Sequence, residues 1–278
     1  MLKSVFRFFL EIFNISALLK NLNQRRELIW TLTWRDFRAR FRGSFGGVFW
    51  AILQPLFMMT VYTIVFSSFL QVRFGDSDSP FTFAVFLLCG LLPWNAFSES
   101  FSGASNLIRS NPNLVKRVVF PLEVLPLNMV LTGIIQQLVG FLLLLPLAWL
   151  VTRALHWTLI YLPMILFIQF LFVTGLTWIW SSLCVYLPDL RQITSLLISI
   201  LMFLMPLFYP RDKIPAWAAP ITDLNPMAQV IEMYRKAFIT GLAIPGRDIA
   251  LAGGIALAVF LVGYFWFMHT KKGFADVL

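Results

Sequence analysis

The residue types that perform bond chemistry are thinly spread in this sequence. Its two histidines, His156 and His269, stand far apart, and its two cysteines, Cys89 and Cys184, fall inside apolar runs where a small hydrophobic role is the ordinary one. No Ser/His/Asp, Cys/His or paired-carboxylate arrangement is visible, and no GxxxxGK[ST] phosphate loop occurs. The sequence therefore predicts no catalytic site, no metal or cofactor of its own, and no ATP binding through such a loop.

A short polar and basic island stands between long apolar runs. It covers residues 111–127 and reads NPNLVKRVVFPLEVLPL. Its opening Asn-Pro is a helix-start signal, residues 114–120 can form about two helical turns, and the two prolines that follow end them. A stub helix at a membrane surface, with Lys116 and Arg117 outward, is suited to docking on another protein. An ordinary loop whose cations only set topology is the alternative.

The composition indicates a helical membrane protein with several spans. The chain has 278 residues, of which 59% are hydrophobic, and a mean hydropathy of +0.80. Its net charge of +9 comes from cations that flank apolar runs. A nucleic-acid surface requires clustered, solvated cations, so we expect membrane lipids as partners and no nucleic acid.

Six apolar runs are predicted to cross the membrane, because about 20 residues at 1.5 Å each match a hydrocarbon core of about 30 Å. They are residues 48–70, 81–102, 125–152, 157–187, 193–209 and 249–268. Residues 210–240 hold two short candidate helices, 217–222 and 226–240, which predict a re-entrant hairpin or a surface element. The expected fold is all-α, with a cytoplasmic segment 1–47, a six-span domain 48–268 and a tail 269–278.

The segment before the first span carries aromatic and basic stripes. Residues 1–20 mix both types and suit a helix in the interface. In the next helix an aromatic face lies beside an arginine face, which predicts a helix lying flat on the cytoplasmic leaflet. Asp36 and Arg40 are spaced for an i, i+4 ion pair. The segments on the side of the membrane that holds both termini and the island contain 15 lysines and arginines, and the segments on the opposite side contain 7. Because cytoplasmic segments carry the excess of these residues, both termini are expected in the cytoplasm.

Small polar stripes run along several predicted spans, for example Asn128, Thr132 and Gln136 in the third. Hydrogen bonding between helices explains any one stripe, whereas several together would suit the lining of a polar conduit. Most aromatic residues are expected in interfacial belts or packing, and some could stack on sugar rings. Candidate lining residues are Phe57, Tyr62, Trp94, Phe97, Ser195 and Ser199.

Several ordered motifs resemble one family, the permease subunits of ABC-type polysaccharide exporters that serve O antigen, capsule and teichoic acid. The motifs are WRDFRARFRGSFGGVFWAILQPLF at 34–57, GLLPWNAFSES at 90–100, the island, LPDLRQI at 187–193, MPLFYPRDKIP at 205–215 and LNPMAQVIEMYRKAF at 224–238. The resemblance implies a homodimer in the bacterial inner membrane with two copies of a separate ATPase, which would bind ATP and Mg, and a lipid-linked polysaccharide as substrate.

The same resemblance assigns roles to three groups of residues. The coupling helix 111–120 would dock on the ATPase through Asn111, Pro112, Leu114, Lys116, Arg117, Phe120 and Glu123. The interface helix would use Trp30, Trp34, Arg35, Phe37, Arg38 and Phe41. An extracytoplasmic gate over 210–240 would use Tyr209, Pro210, Asn225, Pro226, Tyr234 and Arg235. The alternatives are a teichoic-acid or small-amphiphile exporter of the same architecture, an integral-membrane glycan or acyl transferase, and a structural subunit without a pore.

Overall fold

A computed structural model describes residues 20, 23–43, 46–65, 80–116, 120–211, 214–215 and 219–278. These residues form helices and connecting segments, with no strand among them. In chain order the helices are α1 (Arg26–Ala39), α2 (Trp50–Ile64), α3 (Pro80–Leu107), α4 (Pro112–Val115), α5 (Val124–Thr152), α6 (Leu162–Tyr186), α7 (Leu190–Leu204), α8 (Ala219–Asp223), α9 (Pro226–Arg235), α10 (Gly246–Thr270) and α11 (Phe274–Val277). The predicted N-terminal helix over 1–20, apart from Lys20, lies outside the described residues, as do Arg117 and Trp217.

Four helical segments in the described ranges are long and apolar enough to cross a membrane: Thr82–Leu107, Val124–Thr152, Trp157–Tyr186 and Gly246–Val277. They confirm the all-helical, multi-span class. The predicted first and fifth spans appear as the shorter helices α2 and α7, each of 15 residues. At about 22 Å, α7 is shorter than the hydrocarbon thickness, whereas α2 ends next to residues 66–79, which lie outside the described residues, so a count of six spans remains a prediction.

The bounds of α7 differ from the prediction of 193–209. The helix begins at Leu190, three residues earlier, and ends at Leu204, after which Met205 has an extended backbone with φ −80° and ψ 144°. The residue after Met205 is proline, whose ring disfavours the helical conformation of the residue before it. The apolar run continues past this point, but the helix does not.

The interior of the fold is built by α3, α5, α6, α9 and α10, which share one large cluster of buried apolar side chains. Helices α6 and α10 cross with almost no side chain between them. A Cβ atom on Gly175 would lie 2.4 Å from the Val259 carbonyl oxygen, and one on Gly263 would lie 2.3 Å from the Gly175 carbonyl oxygen. Small residues at such crossings let two membrane helices approach through their backbones.

The aromatic stripe of α1 divides between two environments. Phe37 and Phe41 are buried against α2 and α5, whereas Trp30 and Trp34 are 63% and 40% exposed. The aromatic stripe therefore does not lie wholly against the membrane surface, because its C-terminal half packs against α2 and α5 of the same chain.

The predicted pair between Asp36 and Arg40 is wrong. Arg40 Nη1 donates to Glu99 Oε2 at 2.5 Å and to Gln136 Oε1 at 2.7 Å. Asp36 instead pairs with its neighbour Arg35 at 2.8 Å and accepts a hydrogen bond from Asn128 Nδ2 at 2.5 Å. Docking of α1 on α3 and α5 gives Arg40 tertiary partners in place of Asp36, which is shared between Arg35 and Asn128.

Candidate functional site

The island begins at the C-terminal end of α3. The Asn111 side-chain amide donates to the Leu107 carbonyl at 2.9 Å, so it caps α3 as well as preceding α4. Helix α4 has one turn, from Pro112 to Val115, and its C-cap is Lys116. The predicted two turns over 114–120 run into residues 117–119, which lie outside the described residues.

The island presents one face outward and one inward. Pro112, Asn113 and Lys116 are exposed, whereas Val115 is buried and Leu114 packs against the large apolar cluster. Phe120 packs against the same cluster. Asn113 and Lys116 are three residues apart, a spacing that places both on one side of a helical turn. Sequence reasoning missed Asn113, although this spacing could have indicated it.

Two arginines connect the C-terminal end of α3, where the island begins, to neighbouring helices. Arg109 Nη2 donates to the Val185 carbonyl at the end of α6 at 2.7 Å. Arg191, in the first turn of α7, donates to Asn106 Oδ1 at 3.3 Å. The end of α3 is thereby connected to two neighbouring helices at the point where the island begins.

Glu123, expected among the docking residues, faces the interior and is 1% exposed. Its carboxylate accepts hydrogen bonds from Arg25 and from Lys271 Nζ, the latter at 3.0 Å. The indole nitrogen of Trp178 donates to the Glu123 backbone carbonyl at 3.0 Å. Burial alone would raise the pKa of the Glu123 carboxyl, but the Arg25 hydrogen bond and the Lys271 charge outweigh burial, so the pKa is lowered from its ordinary value.

The six candidate lining residues do not share one surface of the subunit. Phe57 is 70% exposed on α2, whereas Trp94 and Phe97 are each 2% exposed inside a buried cluster. Ser195 and Ser199 are exposed on α7, and their hydroxyls donate to backbone carbonyls of the same helix. In this conformation Trp94 and Phe97 are packing residues rather than surface residues.

A cavity of about 160 Å³ with a mixed polar and apolar lining lies between α2, α3 and α5. Its polar lining includes Gln54, Tyr62, Asn95, Glu99 and Gln136. Of these, Tyr62 was a candidate lining residue from the sequence, and Gln136 belonged to a polar stripe that the sequence offered as a possible conduit lining. The i, i+4 spacing of Asn95 and Glu99 in an otherwise apolar helix is the signal that could have indicated the cavity.

The gate candidates have mainly structural contacts. Asn225 Oδ1 accepts the Met227 backbone N–H at 2.9 Å, and Pro226 occupies the first turn of α9, the arrangement of a helix N-cap. The hydroxyl of Tyr209, the residue before Pro210, donates to the Phe203 carbonyl at 2.9 Å.

The two gate candidates at the C-terminal end of α9 are buried. Arg235 is 3% exposed, stacks over the Phe86 ring at 3.5 Å and donates to the Leu207 carbonyl at 2.9 Å. The Tyr234 hydroxyl donates to Gln169 Oε1 at 2.9 Å and accepts from Gln137 Nε2 at 3.2 Å. Two glutamines of the span bundle therefore hold α9 in place.

A model of the ABC-2 type transporter membrane family matches residues 27–239. That match covers most of the sequence, and the chain belongs to this family, which confirms the resemblance drawn from the motifs. The chain is a membrane component of an ABC transporter.

The relatives are named after polysaccharide export. The chain is 32% identical over 261 residues to the O-antigen export system permease protein RfbA of Myxococcus xanthus, covering 93% of this chain and 98% of the relative. It is 30% identical over 265 residues to a protein of the same name from Klebsiella pneumoniae, covering 93% and 97%. It is 25% identical over 232 residues to the polysialic acid transport protein KpsM of Escherichia coli, covering 82% and 88%.

Proposed function

We propose that this chain is the permease subunit of an ATP-driven exporter that moves a lipid-linked polysaccharide of the O-antigen or capsule type across the bacterial inner membrane. The observation that carries the proposal is similarity over nearly the whole length of the O-antigen export permeases. The cargo class is taken from their names. Cargo-stimulated ATP hydrolysis would separate this cargo from teichoic acid or a small amphiphile.

The energy for transport would come from a separate ATPase subunit that docks on the island. The exposed face of Pro112, Asn113 and Lys116 supports this role, because it leaves polar and cationic groups free of the subunit's own core. The inward contacts of Val115 and Phe120 would convert a push on that face into movement of the bundle.

Two glutamate substitutions, Lys116→Glu and Arg117→Glu, test the docking role together. We expect the double variant to insert normally into the membrane but to lose ATPase association and glycan export. Lys272→Glu is a matched control, because it reverses an exposed cation in the C-terminal tail rather than on the island. Export and ATPase stimulation equal to those of the wild type would show that the island is not the docking element.

The functional unit would be a homodimer with both termini in the cytoplasm. Helices α2 and α7 support a second copy, because among their described side chains only Ala51 and Thr194 are buried, while large apolar ones such as Phe57 at 70% and Phe203 at 68% are exposed. Single cysteines at these two positions should form intermolecular cross-links in native membranes, whereas a cysteine at exposed Phe167 of α6 should not. Absence of cross-links at both positions would assign the two helices to lipid.

The transported glycan would pass through the cavity between α2, α3 and α5, not along the buried side chains of Trp94 and Phe97. The exposed amide of Asn95 and the half-buried Tyr62 beside it can hydrogen-bond sugar hydroxyls and cover an apolar sugar face. Asn95→Leu should reduce glycan export in cells while protein abundance stays unchanged. Unaltered export would exclude this cavity from the pathway.

A further inference from the structure

Glu123 joins four parts of the chain at the entrance to α5. One carboxylate oxygen is bound by Arg25, just before α1, and the other by Lys271, just after α10. Its backbone carbonyl is bound by Trp178 of α6. The residue lies three positions beyond Phe120 and directly before the first residue of α5. A single side chain therefore connects the island to both ends of the described bundle.

The three charges of this cluster differ in burial. The Glu123 side chain is 1% exposed, whereas the side chains of Arg25 and Lys271 are 32% and 25% exposed. A cation that loses the carboxylate can be hydrated where it stands, but the carboxylate cannot. Replacing a cation therefore disturbs one contact, whereas replacing Glu123 by glutamine removes the charge from both contacts without leaving an unpaired buried anion.

We propose that Glu123 is a positioning residue whose carboxylate clamps the island to α1 on one side and to the end of α10 on the other. The described part of the island next to Glu123, residues 120–127, then moves as one body with both. The mechanical clamp stands on the contacts above. Its part in coupling ATP hydrolysis to export rests on the proposed function, in which the island receives the push from the ATPase.

Pairs of spin labels measure the clamp directly, without any ATPase. Asn113, Thr31 and Ala275 are exposed and report on the island, α1 and the C-terminal segment respectively. In full-length chain with Cys89 and Cys184 replaced by alanine and reconstituted in nanodiscs, the 113–31 and 113–275 distance distributions should both be narrow. Glu123→Gln should broaden both.

The two cation variants make the test selective. Lys271→Met should broaden only the 113–275 distribution, and Arg25→Gln only the 113–31 distribution, because the remaining cation still holds the carboxylate. Lys272→Met, which changes the exposed neighbour of Lys271, should leave both narrow. These variants alter partly exposed side chains, so they report even if Glu123→Gln fails to fold. Unchanged widths in Lys271→Met and Arg25→Gln would overturn the clamp.

Reconstitution with the ATPase subunit tests the coupling role. The glycan exported per ATP hydrolysed should fall about fivefold or more in Glu123→Gln, the lower end of typical coupling between two sites, while the complex still assembles. Broadened distances with an unchanged export ratio would overturn the coupling role and leave the clamp. Loss of the proposed function would instead show as ATPase association that is insensitive to Lys116→Glu and Arg117→Glu.

Discussion

A buried hydrogen-bond network between α5, α6 and α9 gives the sharpest test of how the bundle holds α9. Gln137, Gln169 and Tyr234 are 2%, 1% and 0% exposed. The two glutamine amides donate to each other's side-chain oxygens, at 3.0 Å and 2.7 Å. Gln169 also accepts from the Tyr234 hydroxyl and donates to the Pro93 carbonyl at 3.4 Å. Gln169 is therefore the shared partner of the other groups.

Gln169→Leu is expected to be the most damaging change in this network. It leaves the Gln137 amide and the Tyr234 hydroxyl with only each other as partners inside the core, where an orphaned polar group costs about 1–3 kcal/mol. Hydrogen bonds between membrane helices are worth about 0.6 kcal/mol on average. Gln169 makes four such bonds, so we expect a loss of about 2–3 kcal/mol for Gln169→Leu. Tyr234→Phe should cost about 1 kcal/mol, because the glutamine pair survives it.

The double variant Gln137→Leu, Gln169→Leu distinguishes this explanation from simple loss of packing. Removing both amides abolishes the orphaned Gln137 amide but also removes both partners of the Tyr234 hydroxyl, so the comparison is made in a Tyr234→Phe background, where the double variant should be more stable than Gln169→Leu alone. Equilibrium unfolding by SDS in mixed micelles, followed by tryptophan fluorescence, measures the three free energies. A double variant as unstable as the sum of its single variants, or a Gln169→Leu variant equal to wild type, would refute the reasoning.

Three further outcomes are expected. Gly175→Ala should lower the melting temperature in detergent markedly, because its Cβ would meet the Val259 carbonyl. Gly254→Ala should leave the melting temperature unchanged, because no heavy atom lies within 4 Å of its new Cβ. Equal effects of the two variants would contradict the close crossing of α6 and α10. Phe97→Ala should lower the free energy of unfolding in SDS by about 3–5 kcal/mol, as for a buried ring. Phe57→Ala should lower it by less than about 1 kcal/mol. Similar decreases for the two variants would contradict the different burial of the two rings. The pKa of Glu123 is lowered in the folded protein, so its carboxylate stabilises the fold fully above about pH 4 and progressively less as the pH falls through the folded pKa. The difference in melting temperature between wild type and Glu123→Gln should therefore shrink on acidification. A difference that grows would contradict the lowered pKa.

The sequence was sufficient to predict the positions of the long membrane-spanning helices, which depend on hydrophobic composition. The predicted third span, 125–152, differs from α5 by one residue at its start, and the predicted sixth span, 249–268, lies wholly within α10. Long uncharged runs leave the chain few other ways to satisfy its backbone in a membrane. The short helix starting at Pro226 was also predicted correctly, because Asn225-Pro226 is a strong local start signal.

Inward and outward orientation could not be predicted to the same degree. In a span that is apolar on all sides, no periodicity separates the face toward the bundle from the face toward lipid or a second copy. Trp94 and Phe97 therefore resembled Phe57 in the sequence, yet the first two are buried and the third is exposed. The glycine crossing at Gly175 depends on a partner helix remote in sequence, so local pattern could not identify it.

The ion pairs were the least predictable feature, and their arrangement around α5 shows why they matter. Glu123 sits at the N-cap of this helix, and Gln136 and Gln137 follow about 20 Å along it at 1.5 Å per residue. Gln136 accepts from Arg40, which follows α1, whereas the adjacent Gln137 binds Gln169 of α6 and Tyr234 of α9. Because neighbouring residues on a helix point about 100° apart, α5 bonds to helices on two sides at once. If the island receives a displacement from an ATPase, as proposed, that displacement would reach α5 first, and these bonds would make α5 the element that passes it to α1 on one side and to α9 on the other.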